Sequence, residues 1–348
     1  MPKWTDSRLD VLPVLRNWSA GTGPMYSRLA HALRSAIELP KLAYFRGQVV
    51  PYTDVRLGLL THALNYGTAV FGGLRAFWNE DEKELFVFRP LDHFRRFLDS
   101  ARLLRMELAT TPESLWLGLR ELLRQQGSRE DCYIRSLAFY GDETLGVRLH
   151  GLTPEVSIVA LPFGHFVQND ENAHACISSW QRISDNVLPA RGKIAGGYVN
   201  SALAKSDAQL AGFDEALVLN DDGHVCEGSV ENLFVVRGGA VVTPPVTQDI
   251  LEGITRRTVI QLLREDLGVT VVERPIDRTE VYLSDEVFLT GTGVQLVAVT
   301  RVDNRTIGSG KMGEISRKLK PAMAELVRGR NPKHRDWCAP VYREDAKG

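Results

Sequence analysis

The 348-residue sequence has little cysteine: Cys132, Cys176, Cys226 and Cys338 are all it contains. No two of them form a CxxC pair, and their spacing fits neither a zinc site nor a disulfide scaffold. No metal is therefore expected, and a reducing cytoplasm is the natural setting. The sequence also lacks an excess of either charge, with 42 Lys and Arg against 43 Asp and Glu. That balance leaves no basic surplus to drive binding to nucleic acid or to an anionic membrane. There is no run of 18 apolar residues of the kind a membrane span needs. The opening MPKWTDSRLD lacks the basic stretch and apolar core of a secretory signal. Repeats and low-complexity tracts are absent too. What remains is the composition of an ordinary soluble protein, 44% hydrophobic and 24% charged, with length enough for two domains.

Residues 1–40 read as an N-terminal extension, with one helix expected over Tyr26 to Glu38 from apolar residues at helical spacing. A small N-terminal domain is expected over 41–163. KLAYFRGQVVPY gives two short strands about Arg46–Gly47, and ELFVFRP gives another. LDHFRRFLDSARLLRME and PESLWLGLRELLRQQG give two helices, and CYIRSLAFYG and PEVSIVALPF two more strands. The segment around Gly72 and Gly73 is mixed. The pattern turns polar at GHFVQNDEN, which places an interdomain loop at 164–173. A large C-terminal domain then spans 174–348, with a strand at ACISSW and a helix at NSALAKSDAQLAG. Hairpins follow about Asp222–Gly223 and Gly238–Gly239, then a helix at ITRRTVIQLLREDLG, three strands, and a last helix holding Pro321. Strands dominate and helices are interspersed, so the class is α+β.

Four short motifs carry candidate chemistry. GKIAGGYVNS holds Lys193, Gly196, Gly197 and Tyr198; glycines let backbone approach a flat ligand, and a lysine desolvated beside a cation becomes a nucleophile. By itself Lys193 is one solvated lysine among many. CEGSVENLF holds Glu227, Glu231 and Asn232, which would otherwise be an ordinary turn. LEGITRRT puts Gly253, Ile254 and Thr255 at a helix start, where free N–H groups favour a phosphate, although a plain threonine cap explains them equally well. LTGTGV sets Thr290 and Thr292 in a second glycine-rich turn.

Together these motifs are specific. KxxGGY, EGxxEN 34 residues after Lys193, LxGIT and SDEVFxTGT stand in the order of the fold-type IV pyridoxal-phosphate enzymes, and the sequence most resembles the branched-chain aminotransferases. The likeness extends upstream through HALNYGTAVFGGLRAF, FRPLDHFRRFLDSARLL and YIRSLAFYG, roughly residues 41–328. The resemblance implies two domains, the second built on mixed, barrel-like sheets packed with helices. It implies pyridoxal 5'-phosphate carried on Lys193, which would also move the substrate proton. Tyr198 would meet the ring hydroxyl and Glu227 the ring nitrogen, keeping the ring an electron sink. Arg96, Gly253, Ile254, Thr255 and Thr292 would hold the phosphate, and Leu251 would pack on the ring. For the substrate it implies Phe71, Gly73, Arg75, Tyr133 and Arg135, with Tyr66 and Val147 supplied by the other subunit of a homodimer or higher homo-oligomer.

The expected reaction is transfer of the amino group of a branched-chain L-amino acid to 2-oxoglutarate. Some positions depart from the family pattern: Gly72 replaces a glutamate, Gly197 an asparagine, Phe163 and Phe166 a tryptophan and a tyrosine, and Arg148 adds a charge. These departures keep two rivals in view, transamination of (R)-amines or D-amino acids and a lyase of the aminodeoxychorismate type. Phe71 and Tyr133 would otherwise be core residues, Arg75 and Arg135 structural ion pairs, and Arg148 a solvated charge.

Overall fold

A computed structural model of the protein describes residues 39–163 and 169–343. The helix expected over Tyr26 to Glu38 and residues 164–168 of the 164–173 connection, Phe166 among them, lie outside the described residues.

Strands β1 (Leu42–Phe45) and β2 (Gln48–Pro51) form the expected hairpin. Arg46 and Gly47 turn it with φ of 50° and 86°, the left-handed pair that suits the twist of a tight hairpin. After the short helix α1 (His62–Tyr66) comes β3 (Ala69–Asn79), an unbroken strand that runs through Gly72 and Gly73. Then follow β4 (Glu84–Phe88), α2 (Pro90–Leu103), α3 (Pro112–Gln126), β5 (Cys132–Tyr140) and β6 (Pro154–Pro162). These strands lie in the order β4-β3-β5-β6-β1-β2, antiparallel throughout. Phe94, Phe97 and Ala101 of α2 and Leu115, Leu119 and Leu122 of α3 pack on Val70, Leu74 and Ile134 of this sheet. Thr111 caps α3 by accepting the Ser114 N–H at 3.1 Å, and Gly127 ends it at φ 65°.

The second half runs β7 (Ala173–Gln181), α4 (Tyr198–Leu210), β8 (Glu215–Leu219), β9 (Val225–Gly228), β10 (Asn232–Arg237) and β11 (Ala240–Thr243). It continues with α5 (Ile254–Gln261), β12 (Val271–Glu273), α6 (Arg278–Tyr282), β13 (Glu286–Gly291) and β14 (Gln295–Val302). It closes with β15 (Arg305–Thr306), α7 (Glu314–Val327) and β16 (Cys338–Pro340). Because β9 pairs with both β8 and β10, the ring β10-β13-β14-β7-β8-β9 closes on itself as a barrel. β7 pairs parallel with β8 and β14, while the other pairs in the ring are antiparallel, so the sheet is mixed as expected. Leu217, Leu233, Val235, Leu289 and Val297 share one apolar cluster. The alternating residues Phe234, Phe288 and Leu296 face the other way, onto Val259 of α5 and Leu319 and Met323 of α7.

Some of this differs from the expectation. The helix read over ITRRTVIQLLREDLG changes to a π turn over Leu262–Asp266. The chain's last strand, β16, has no counterpart in the sequence reading; it leaves the barrel half and adds to the edge of β4. All four cysteines are free thiols, and burial pushes Cys132 and Cys176 up to about 11 and Cys338 to about 12, away from the reactive thiolate. No helix among the described residues is long and apolar enough to cross a membrane.

Phe234 and Phe288 stack with ring centroids 5.0 Å apart and are fully buried. Phe234→Ala is expected to cost about 3–5 kcal/mol in urea-induced unfolding. A loss below ~1 kcal/mol would show that this face of the barrel repacks freely.

Candidate active site

The loop entering α4 brings Lys193 against the first sheet. The Phe71 N–H donates to the Lys193 carbonyl at 2.9 Å, and Ile194 bridges to Val70. From α2, Ser100 Oγ accepts the Lys193 N–H at 3.1 Å and donates to the Arg96 carbonyl at 2.9 Å. The lysine is thus pinned to both a strand and a helix. Its Nζ hydrogen-bonds the Tyr198 hydroxyl and lies 5.0 Å from the centre of the Phe71 ring. Burial, helped by the Arg96, Arg135 and Arg182 charges, lowers Lys193 to about 7, with Glu227 opposing. A neutral amine is therefore well populated near neutral pH. Burial raises Tyr198, so its hydroxyl keeps its proton.

The glycine pair lies against neighbouring protein. Gly196 packs on the backbone of Gly67, whose φ is 66°, and a Cβ on Gly67 would come within 2.9 Å of the Gly196 Cα. A Cβ on Gly197 would meet Leu188 at 2.8 Å. These glycines admit neighbouring protein, and they seat the lysine loop by that route.

Glu227, at the end of β9, is buried and held on three sides. Its Oε2 accepts the Leu251 N–H at 3.2 Å and Asn232 Nδ2 at 3.1 Å, and its Oε1 lies 3.1 Å from Arg182. Asn232 Nδ2 also donates to the Leu251 carbonyl at 2.9 Å. Burial pushes the Glu227 carboxyl up, against the pull of Arg182 and the Leu251 N–H. Gly253 has no room for a side chain, since an added Cβ would stand 2.0 Å from Asn232 Oδ1. Arg182, Tyr198, Glu227, Asn232 and Leu251 line one small cavity.

Gly253 starts α5 with no side chain capping it, so the first N–H groups, at Ile254 and Thr255, are left for a ligand. Arg96 reaches that corner, donating to the Glu252 carbonyl at 3.1 Å. Burial lowers the Arg96 guanidinium, as for a cation drawn into a site. A cation, free helix N–H groups, a hydroxyl-paired amine and a buried carboxylate are the groups pyridoxal phosphate requires, so the residues fit that cofactor.

The first sheet supplies a wall. Alternation along β3 and β5 puts Phe71, Gly73, Arg75, Tyr133 and Arg135 on one face. Arg135 sits 4.5 Å above the Phe71 ring and donates to the Tyr133 hydroxyl at 3.1 Å. A Cβ on Gly73 would lie 2.5 Å from that hydroxyl, so only glycine leaves Tyr133 its place. Gly72 points to the opposite face, where an added Cβ would meet Ser136 Oγ at 2.2 Å. A side chain at position 72 would therefore stand off the face that carries Phe71, Gly73 and Arg75. Arg75 donates to the carbonyls of Phe163 at 3.3 Å and Gly293 at 3.4 Å, and approaches Asp131 at 4.0 Å. These contacts tie the first sheet to the turn that carries Thr292, while Arg75 Nε is buried without a partner. The Phe163 ring lies 5.2 Å from Tyr133.

Tyr66 and Val147 stand apart from this group. The Gly146 N–H donates to the Tyr66 hydroxyl at 3.1 Å, and both residues border a second cavity with His62, Arg105 and Arg148. Ile194 and Gly196 line the same cavity, and Arg148 is exposed. Sequence reasoning missed Arg182, one arginine in a polar strand end, and gave Asn232 no role. Only the pairing of Asn232 opposite Glu227 reveals it.

The model of the family described as amino-transferase class IV matches residues 71–302. A probable branched-chain-amino-acid aminotransferase of Aquifex aeolicus is 44% identical over 300 residues, 86% of this chain and 96% of that protein. The solved branched-chain aminotransferase of Thermoproteus uzoniensis, crystallised with norvaline, superposes with TM-score 0.83 at 37% identity, covering 87% of this chain and all of that one. A solved T.th. branched-chain amino acid aminotransferase complexed with N-(5'-phosphopyridoxyl)-L-glutamate gives 0.82 at 40% identity, covering 87% and 99%. With its lysine, carboxylate clamp and open helix start in one place, the chain belongs to the class IV aminotransferases.

Proposed function

We propose that this pyridoxal-phosphate-dependent aminotransferase moves the amino group of leucine, isoleucine or valine to 2-oxoglutarate, giving a 2-oxo acid and glutamate. One observation carries the reading: the Lys193 amine, which burial brings down to about 7, sits between Tyr198 and an apolar, aromatic wall centred on Phe71. Bound pyridoxal phosphate supplies an electron-accepting ring that stabilises negative charge at the substrate Cα. The residues divide the remaining work. Glu227, kept in place by Arg182, Asn232 and Leu251, holds the ring nitrogen in its protonated form. Tyr198 meets the ring hydroxyl, and Leu251 packs against the ring. Ile254 and Thr255 N–H groups, with Arg96 and Thr292, hold the phosphate, and Gly253 leaves Asn232 its room. Lys193 carries the cofactor and moves the proton at the substrate Cα. Phe71, Gly73 and Tyr133 shape the side-chain pocket, Arg135 supplies a cation for the substrate carboxylate, and Arg75 positions the Thr292 turn.

Relatives crystallised with norvaline and with a phosphopyridoxyl derivative of glutamate support an aliphatic donor and glutamate as the second amino acid. They favour this reading over an (R)-amine or D-amino acid transaminase and over an aminodeoxychorismate-type lyase. The small domain is assigned to 41–163, the connection to 164–173 and the large domain to 174–348, with 1–40 as an extension and a cytoplasmic setting. A homodimer completes the site, each subunit lending Tyr66 and Val147 to the other. Its support is an apolar patch left open in the single chain, with Leu59 85% and Val147 87% exposed.

Leucine with 2-oxoglutarate should yield glutamate, and Lys193→Ala should lower the rate by at least ~10²–10⁴-fold. No glutamate above the variant's background would sink the branched-chain reading. Capture of pyridoxal phosphate by the apoprotein needs the neutral amine. Its rate should rise tenfold per pH unit below about 7 and level off above. A rate still climbing toward the ordinary lysine value of 10.5 would contradict the buried environment. Sedimentation velocity at micromolar protein should return a dimer, and a stable, active monomer would remove Tyr66 and Val147 from the site.

A further inference from the structure

Behind the Glu227 clamp lies a second pair of carboxyl groups that the steps above do not use. Glu215 of β8 and Glu231, in the turn between β9 and β10, are each 5% exposed. Glu215 Oε1 accepts the Ser229 N–H and Glu231 Oε2 the next amide, the Val230 N–H, each at 3.3 Å, so the two carboxyl groups close on one turn. Two carboxylates buried beside one turn repel when both are charged, which favours a single proton on the pair. Lys205 of α4 stands 2.5 Å from Glu215 Oε2 and donates to the Asp214 carbonyl at 2.7 Å. One ammonium balances one negative charge on the pair and leaves a second unbalanced. Burial and the neighbouring Glu215 push Glu231 up, against Lys205 and the Val230 N–H, so Glu231 is the member that keeps the proton.

The pair also holds the turn on which the clamp is built. Glu215 Oε1 accepts the N–H of Ala216 at 2.8 Å and of Ser229 at 3.3 Å. Glu231 Oε2 accepts the Val230 N–H at 3.3 Å, and the Gly228 N–H donates to the Glu231 carbonyl at 2.7 Å. Gly228 leaves space for this, since a Cβ there would stand 2.8 Å from Glu231 Oε2. Residues 228–231 are the whole connection between Glu227 and Asn232, which face each other across the strands. We infer that Glu215 and Glu231 are positioning residues, a one-proton carboxyl pair whose hold on the Ser229 and Val230 amides sets the Glu227–Asn232 clamp and so the grip on the cofactor ring.

The charged groups around Glu231 are Glu215 from β8, Lys205 from α4 and Glu227 from β9, with Arg182 beyond Glu227. Loss of the pair's proton leaves two like charges at one turn, loosens it and weakens the clamp. The sign follows directly: the grip is complete while Glu231 is protonated and falls as pH rises through its titration. Buried glutamates titrate as high as about 8–9.

The inference rests on Glu227 facing the ring nitrogen, and the test separates the two. Dissociation constants for pyridoxal phosphate are measured across that pH range for wild type, Glu231→Gln and Glu227→Gln, alongside infrared spectra of the wild-type and Glu231→Gln holoenzymes. Wild type should lose affinity above the titration by up to about tenfold per pH unit relative to Glu231→Gln, whose amide has no proton to lose. The wild-type spectrum should contain a neutral-carboxyl C=O band that fades over the same range and is missing from Glu231→Gln. Parallel affinity profiles for wild type and Glu231→Gln, or an unchanged carboxyl band, would overturn the inference. If Glu227→Gln binds the cofactor as tightly as wild type at neutral pH, the ring-nitrogen assignment fails instead and the inference falls with it. If the Glu231→Gln protein is unstable, the wild-type carboxyl band decides: its fading with pH in step with cofactor loss supports the pair, and its absence refutes it.

Discussion

The buried carboxylate of Glu227 is the constraint around which this site is arranged. A lone carboxylate at that depth would take up a proton. Arg182 at 3.1 Å, the Leu251 N–H at 3.2 Å and Asn232 at 3.1 Å keep it in place and favour its charge. Each partner comes from a different segment: the residue after β7, the loop before α5 and the first residue of β10. Closure of the barrel through β9 is what brings them together. The carboxylate therefore depends on the whole barrel, and the open start of α5 is fixed with it, because Gly253 abuts Asn232.

The Lys193 amine is tuned by the opposite logic. Lys193 has no carboxylate in direct contact and is surrounded by Arg96, Arg135 and Arg182 at longer range. Burial and like charge both favour the neutral amine, while at Glu227 Arg182 and the Leu251 N–H pull against the burial that pushes its carboxyl up. The first sheet contributes through backbone as much as side chains, since Phe71 both anchors the Lys193 loop and presents its ring to the amine.

Much of this is legible in the sequence, for identifiable reasons. Lys193, Tyr198, Glu227 and the Gly253–Thr255 helix start lie in short local motifs, and the amphipathic pattern of α2 places Arg96 beside them. The hairpins about Asp222–Gly223 and Gly238–Gly239 follow from turn chemistry, and β8–β9 and β10–β11 form them. What stays hidden is non-local. Arg182 lies 45 residues from Glu227 and has no motif of its own. The return of β16 to β4 joins residues some 250 positions apart, and no period in three residues can announce it. The face of Gly72 is hidden for a related reason: it depends on the register of β3 against β5, and a one-residue step reverses it.

The central claim is that Lys193, and no other lysine, carries the cofactor. Borohydride reduction of the protein as purified with pyridoxal phosphate, followed by peptide mass spectrometry, tests it directly. The account predicts a phosphopyridoxyl mass on the peptide holding Lys193 and on no other. A label on a different lysine, or none on Lys193 in fully loaded protein, would contradict it.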